Sequence, residues 1–314
     1  MVLERSAEQY LKARRDEGVV DVASLSPAEA RALERTGRQR YGEGPAVELV
    51  EDWDFPCASG HVRLRLLSSV DNPAHIVVYF HGGGWVVGEL EDYEALLRTL
   101  ANETDSAVVI VEYRKAPEHP FPAAVHDAIA AVTRVDRLAR ARFSRYRSLI
   151  VAGDSAGGNL AAVVAQAVPR GQVPPLQLQI LIYPVLDCDF TTPSYTDPAN
   201  QLLLTRETME WFWDQYVPAP WDRLHPMASP ARAESLVGLP PALLVTAQHD
   251  VLRSEAERYA NRLHAAGVAV EHVEFDGQMH GFFSLHNVLP ASEKARHLIA
   301  AAIRNQGREH GEMS

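Results

Sequence analysis

Short apolar runs alternate with helical stretches along most of this chain. This alternation restricts the possible folds more than any other feature of the sequence. Continuous apolar strands separated by helices predict a mostly parallel sheet with helices on both faces. The predicted strands are Ile76–Phe80, Ala107–Val111, Leu149–Ala152, Leu178–Ile182, Ala242–Thr246 and Val268–Phe275. The predicted helices lie near Tyr93–Glu103, Ala123–Leu138, Ala156–Val168 and Glu255–Ala266.

Two more strand-like runs precede this region. Val47–Phe55 and His61–Leu67 flank a Ser59-Gly60 turn, which predicts an antiparallel hairpin. The sheet should therefore have about eight strands, the first pair antiparallel. Residues 1–45 are charged and helical in pattern, with Ser26 and Pro27 typical of a helix start. We expect them to pack on an α/β domain formed by residues 46–314.

Composition excludes several classes of partner. The formal net charge is −11, and an acidic surface repels nucleic acid and anionic lipid. No apolar run is long enough to span a bilayer, and the first residues lack the apolar core of a signal peptide. We therefore expect a cytoplasmic protein. Cys57 and Cys188 match no metal-ligand spacing and are expected to be reduced thiols.

A Gly-Asp-Ser-Ala-Gly-Gly segment, residues 153–158, lies between a predicted strand and a predicted helix. A turn this tight strains the backbone of its central residue and requires small neighbours. The strain raises the Ser155 hydroxyl above the sheet edge, and the following helix directs its positive end toward it. Ser155 is therefore the candidate nucleophile, the alternative being a glycine-rich turn that serves packing only.

A second glycine-rich segment, His81-Gly82-Gly83-Gly84-Trp85, also follows a predicted strand. Bare backbone N–H groups of glycines can approach a ligand oxygen closely and stabilise a developing oxyanion. A phosphate-binding loop is the rival interpretation. The Lys-Ser/Thr ending of such a loop is missing, however, and no G-x-G-x-x-G pattern occurs. Together with the serine turn, the segment predicts an oxyanion hole.

A serine nucleophile needs a base, and we expect the base on a loop at the carboxyl ends of the strands. Of the 13 histidines, His280 follows the last predicted strand and fits best. His119, in a proline-rich loop, is the second candidate. His264 and His272 lie inside a predicted helix and a predicted strand, and are poorer candidates.

The acid that orients the base has more candidates. Asp250 follows the strand Ala242–Thr246 and precedes a helix, which places it at the correct edge of the sheet. Asp187 and Asp189 follow an earlier strand and remain alternatives, whereas Asp276 suits a turn. The order Ser155, Asp250, His280 is the order found in α/β-hydrolases. Such a triad requires no metal or organic cofactor.

The segment from Asp187 to Pro240 is too long for a simple crossover and is rich in aromatic residues. These side chains either line a substrate pocket or pack a cap, and the sequence leaves both possibilities open. The pocket candidates are Trp85, Met209, Phe212 and Trp213.

Five segments of the chain, in order, resemble the bacterial hormone-sensitive-lipase-like carboxylesterases. They are His81–Trp85, Tyr113–Ala124, Gly153–Gly158, Asp250–Arg253 and His280–Phe282. The resemblance implies an α/β-hydrolase fold with a helical cap made by residues 1–45 and about 187–225. It also implies an oxyanion hole formed by Gly83, Gly84 and Ala156, with Gly82 as a near alternative.

The expected function is hydrolysis of small, uncharged esters with short-to-medium acyl chains through an acyl-enzyme. An amidase or lactonase could use the same triad. A non-catalytic receptor is the other alternative, because plant gibberellin receptors resemble this family but lack the catalytic histidine. His280 is present and argues for turnover. Lys115 and Ser254 depart from the family pattern and leave substrate preference open. We expect a monomer or a homodimer.

Overall fold

The computed structural model describes residues 2–57 and 60–306. These residues form one eight-stranded sheet with the order β1-β2-β4-β3-β5-β6-β7-β8. Strand β2 pairs antiparallel with β1, as predicted, and it also pairs antiparallel with β4, which the sequence did not predict. The remaining pairs are parallel. Ser59 of the predicted turn lies outside the described residues. The strands are β1 Leu49–Cys57, β2 Gly60–Ser68, β3 His75–Phe80, β4 Ala107–Glu112, β5 Ser148–Asp154, β6 Leu178–Ile182, β7 Ala242–His249 and β8 Val270–Met279.

The four predicted helices are present, with ends within a few residues of those expected. The structure adds a helix after the last strand that the sequence analysis did not predict, Pro290–Asn305. The helices are α1 Arg5–Asp16, α2 Pro27–Gly37, α3 Leu90–Thr104, α4 Ala123–Arg142, α5 Ala156–Ala167, α6 Pro193–Thr196, α7 Arg206–Tyr216, α8 Arg253–Ala265 and α9 Pro290–Asn305. No described helix is both long enough and apolar enough to cross a membrane.

The sheet separates two apolar cores because successive strand residues point to opposite faces. Val78 belongs to the core on one face and Val77 to the core on the other. Helices α4, α5 and α8 pack on the first face, and α3 and α9 pack on the second. Burying each large aliphatic side chain contributes about 1.5–3 kcal/mol, so the sheet and these helices form a stable platform.

The N-terminal segment, residues 2–45, lies on this platform with little apolar burial of its own. Each of its two helices has one buried residue, Ala7 in α1 and Ala30 in α2. Helix α2 begins as predicted, with Pro27 in its first turn and a capping box between Ser26 and Glu29. The segment also contacts α7, where the Thr208 hydroxyl donates to Asp21 Oδ1 over 3.1 Å.

Candidate active site

Ser155 occupies the tight turn between β5 and α5. Its backbone is left-handed, with φ 55° and ψ −119°, a strained conformation that costs about 1–3 kcal/mol. A Cβ on Gly157 would lie 1.9 Å from the Phe80 carbonyl oxygen, and one on Gly153 would lie 2.3 Å from the Gly157 oxygen. Only glycine therefore allows α5 to approach the strands this closely. The Ser155 N–H donates to the Ile182 oxygen over 2.9 Å, which fixes the turn.

His280 and Asp250 each follow directly after a strand, β8 and β7, and these two strands are neighbours. His280 Nδ1 lies 2.8 Å from Asp250 Oδ2, and His280 Nε2 lies 3.0 Å from Ser155 Oγ. An ionised carboxylate only accepts hydrogen bonds, so Nδ1 carries the proton and Nε2 of the neutral ring faces Ser155 as an acceptor. Asp250 is 1% exposed, and its second oxygen accepts from the Leu252 N–H over 2.9 Å.

The other candidate histidines do not join this chain of hydrogen bonds. His264 is exposed on α8, and His119 lies in the loop between β4 and α4. His272 lies within β8 and hydrogen-bonds the Thr246 hydroxyl over 2.9 Å. The structure therefore brings only His280 of these four to Ser155.

The alternative acids also have other partners. Asp187 accepts from Arg232 over 2.6 Å, and Asp189 accepts from the Thr191 N–H and hydroxyl. Asp276 is exposed near the end of β8. Within the described ranges, no three His, Cys, Asp or Glu side chains are grouped so that they could hold a metal ion.

The glycine loop, residues 81–88, runs beside the serine turn and ends before Glu89, the N-cap residue of α3. Gly83 and Gly84 have φ values of 103° and 57°, a region that favours glycine. No described residue accepts a hydrogen bond from the N–H groups of Gly83, Gly84 or Ala156. The Gly82 N–H, in contrast, donates to Asp154 Oδ1 over 3.0 Å and to the Tyr93 hydroxyl over 3.1 Å. Gly82 is thus corrected from a possible oxyanion donor to an anchor of the loop.

Asp154 is a residue that the sequence analysis missed. It directly precedes Ser155 and is 3% exposed, and it accepts hydrogen bonds from Gly82, Tyr79 and Tyr93. Burial raises the pKa of this carboxyl to about 6, although these hydrogen bonds act in the opposite direction. The detectable signal was an aspartate at the end of an otherwise apolar strand. Asp154 ties the glycine loop to the nucleophile turn.

Tyr183 was missed as well. It follows β6 with φ 34°, and its ring centroid lies 4.6 Å from that of His280. Its N–H donates to the Val245 oxygen over 2.6 Å, so the ring is held at the carboxyl edge of the sheet. Burial raises the pKa of the Tyr183 phenol well above its usual range. A large neutral ring therefore packs against the imidazole.

The aromatic pocket candidates separate into two groups. Trp85 and Trp213 are fully buried, and the Trp85 ring stacks on Tyr216 with centroids 4.1 Å apart. Met209 is 1% exposed. These three predicted pocket residues are corrected to packing residues, because none of them presents a surface to a ligand. Phe212 differs, since a Cβ on Gly84 would lie 2.1 Å from its ring.

A strand–serine–helix turn at the carboxyl edge of a mostly parallel eight-stranded sheet defines the class of α/β-hydrolases. The family described as alpha/beta hydrolase fold matches residues 77–284. The chain belongs to this family, in its hormone-sensitive-lipase-like branch.

Characterised relatives resemble the chain over most of its length. A carboxylesterase of Mycobacterium tuberculosis, NlhH, is 40% identical over 233 residues, or 73% of each chain. The ethyl acetate hydrolase of Pseudomonas putida is 32% identical over 303 residues, or 94% of this chain and 95% of the relative. The solved structure of an ester-hydrolase from the metagenome of Lake Arreo has a TM-score of 0.89 and 34% identity, and covers 97% of this chain and 99% of that chain.

Proposed function

We propose that the protein is a serine carboxylesterase in which Ser155 is the nucleophile, His280 the base and Asp250 the orienting acid. The continuous hydrogen-bond chain from Asp250 through His280 to Ser155, with distances of 2.8 and 3.0 Å, carries this proposal. The names of the relatives, among them carboxylesterase and ethyl acetate hydrolase, support the same class of reaction.

The reaction follows two acyl-transfer steps. Ser155 Oγ attacks the ester carbonyl while His280 Nε2 takes its proton, and Asp250 stabilises the imidazolium that forms. His280 then donates this proton to the leaving alcohol, and an acyl-enzyme remains on Ser155. A water molecule attacks the acyl-enzyme while His280 takes its proton; His280 then returns this proton to Ser155 Oγ as the bond to the acyl group breaks and the carboxylic acid leaves.

The oxyanion of both tetrahedral intermediates would be stabilised by the N–H groups of Gly83, Gly84 and Ala156. Loss of one such donor costs about 3–4 kcal/mol in other serine hydrolases. Ala156 is the first residue of α5, so the positive end of this helix also faces the oxyanion.

The substrate class is a small, uncharged ester with a short-to-medium acyl chain. Ser155 is only 7% exposed, which leaves limited access to the nucleophile. The Phe212 ring lies against Gly84 and limits the room beside the oxyanion donors. We further propose that residues 1–45 and 187–225 form a cap over the site, supported by the hydrogen bond between Asp21 and Thr208.

The same contacts bear on the alternative functions, a ligand receptor, an amidase or a lactonase. A ligand receptor needs no base, so the bonding of His280 to both triad partners favours turnover. Among the residues that the structure describes, no contact in the site favours an amide or a lactone over an ester. A cytoplasmic location, a monomeric or homodimeric state and the lack of a nucleic-acid partner stay predictions from the sequence.

Replacing the nucleophile tests the proposal. Ser155→Ala should lower kcat on p-nitrophenyl butyrate by about 10⁴ to 10⁶, because triad members act as a unit. A p-nitrophenyl alkylphosphonate should label the parent enzyme at one site and leave Ser155→Ala unlabelled. Ser144→Ala, at an exposed serine before β5, is the control and should behave like the parent. Retained turnover and labelling in Ser155→Ala would overturn the proposal.

A further inference from the structure

Three arginines spaced four and three residues apart, Arg31 and Arg35 in helix α2 and Arg38 directly after it, lie along one face. Arg35 and Arg38 bind the side chains of Glu89 and Asp92. Arg31 differs from them because it donates hydrogen bonds to backbone carbonyls as well as to a carboxylate. Its side chain is 19% exposed, against 54% for Arg35.

The Arg31 guanidinium joins two loops of the platform. Its Nε donates to the Val86 oxygen over 2.8 Å, and its Nη2 donates to the Ala116 oxygen over 2.7 Å. Nη1 and Nη2 also bind the two oxygens of Glu118 at 2.8 and 2.7 Å. Only the planar five-donor guanidinium can satisfy both carbonyls and a carboxylate together; a lysine ammonium cannot.

Both carbonyls belong to backbone segments that are hydrogen-bonded to the glycine loop, which carries two of the proposed oxyanion donors. The N–H groups of Val86 and Val87 donate to the Gly83 oxygen over 3.0 and 2.9 Å. The Ala116 N–H donates to the Trp85 oxygen over 2.9 Å. Val86 and Ala116 are buried, and removal of Arg31 would take away the side chain that holds both of their carbonyls.

We propose that Arg31 is a positioning residue for the oxyanion hole, so that the N-terminal segment completes the catalytic geometry as well as covering the substrate. Asp154 holds the glycine loop at Gly82, on the side of β5, and Arg31 holds it at Val86, on the side of α2. This inference rests on the proposed function, because it assigns Gly83 and Gly84 to the oxyanion.

The test compares Arg31→Ala with Arg35→Ala, a matched variant on the same helix that removes only side-chain ion pairs. Misplacement of a catalytic group by about 1 Å costs about 100-fold, so we expect Arg31→Ala to lower kcat by about 10- to 100-fold with little change in KM. Arg35→Ala should stay within about twofold of the parent, because exposed ion pairs contribute little. The affinity for an alkyl trifluoromethyl ketone, which forms an oxyanion adduct with Ser155, should fall in Arg31→Ala by the same factor as kcat.

Parent-like kcat in Arg31→Ala would overturn the inference, as would an equal loss in Arg35→Ala or a loss confined to KM. Circular dichroism and thermal unfolding show whether each variant is folded. If Arg31→Ala is not folded, Arg31→Lys takes its place, and a lowered kcat with weakened ketone binding is again the expected result. If Ser155→Ala is inactive, these adverse outcomes count against the role of Arg31 alone; if Ser155→Ala stays active, the proposed function itself has failed.

Discussion

The carboxyl edge of the sheet, which carries Ser155 and His280, and the N-terminal segment are held in place by different forces. The strands around Ser155 are buried along their length, and β5 has no exposed residue. Helices α1 and α2 bury one residue each, and Arg31 and Arg35 of α2, with Arg38 directly after it, form ion pairs with the rest of the molecule. An ion pair as exposed as that of Arg35 contributes about 0–1 kcal/mol, less than a buried aliphatic side chain. The edge should therefore tolerate few changes, whereas the segment should tolerate changes at exposed positions such as Arg35.

The largest expected effect is on catalysis at the edge itself. Asp250→Asn should lower kcat by about 10⁴, because an amide favours the wrong tautomer of His280. Asp187→Asn should keep most of the activity, since Asp187 pairs with Arg232 instead of His280. The measurement is kcat of both variants on the same ester. The reverse ranking would move the acid to the loop after β6.

Substitution of one glycine in each region tests whether the two regions differ in how tightly they are packed. A Cβ on Gly157 would clash with the Phe80 backbone oxygen at 1.9 Å, whereas one on Gly37 in α2 would meet nothing within 4 Å. Gly157→Ala should therefore lower the free energy of unfolding by about 3 kcal/mol or more. Gly37→Ala should raise it by up to about 1 kcal/mol through helix propensity. Urea unfolding of the two variants measures the difference, and similar midpoints would remove the contrast between the regions.

The buried carboxyl of Asp154, at the carboxyl edge of the sheet, predicts that the free energy of unfolding depends on pH. Burial raises the pKa of Asp154 from 3.8 to about 6, so between these values the folded protein binds more protons than the unfolded chain. This carboxyl therefore makes the unfolding free energy fall as pH rises through the window. Relative to Asp154→Asn, which does not titrate, the parent should lose up to about 1.4 kcal/mol per pH unit between about pH 4 and 6.

The control for this prediction is Asp189→Asn. Hydrogen bonds from Thr191 lower the pKa of Asp189. The contribution of this carboxylate to the unfolding free energy is therefore lost only as pH falls below 3.8. Urea unfolding at several pH values measures this control. The difference in unfolding free energy between the parent and Asp189→Asn should stay constant between about pH 4 and 6. A parent-to-Asp154→Asn difference that stays constant from pH 4 to 7 would contradict the buried-carboxylate interpretation.

The smallest expected effect concerns acyl-chain preference. Phe212→Ala removes the ring beside Gly84, so kcat/KM should shift toward longer chains by about 1–3 kcal/mol. Trp221→Ala, at a tryptophan that is 75% exposed, should leave the profile unchanged. Acetate, butyrate, hexanoate and octanoate esters give the ranking. An unchanged ranking in Phe212→Ala would place the acyl pocket elsewhere.

Features encoded within a few neighbouring residues were predictable from the sequence. The strands, the main helices and the serine turn follow from local periodicity and from the space that glycines leave. The start of α2 at Pro27 also follows from local capping chemistry. Helix α9 was not predicted, although its start also carries a proline, at position 290.

Local sequence patterns were enough to predict the fold class, the turn that exposes Ser155 and a short list of partners for it, because steric and periodic constraints act over a few residues. The tertiary structure decided which partners meet. His280 reaches Ser155 across 125 residues of chain, and Arg31 reaches Val86 across 55. It also decided that the Gly82 N–H belongs to Asp154 and that Trp85 is covered by Tyr216. Such contacts depend on strand order and helix packing, which only the folded chain brings together.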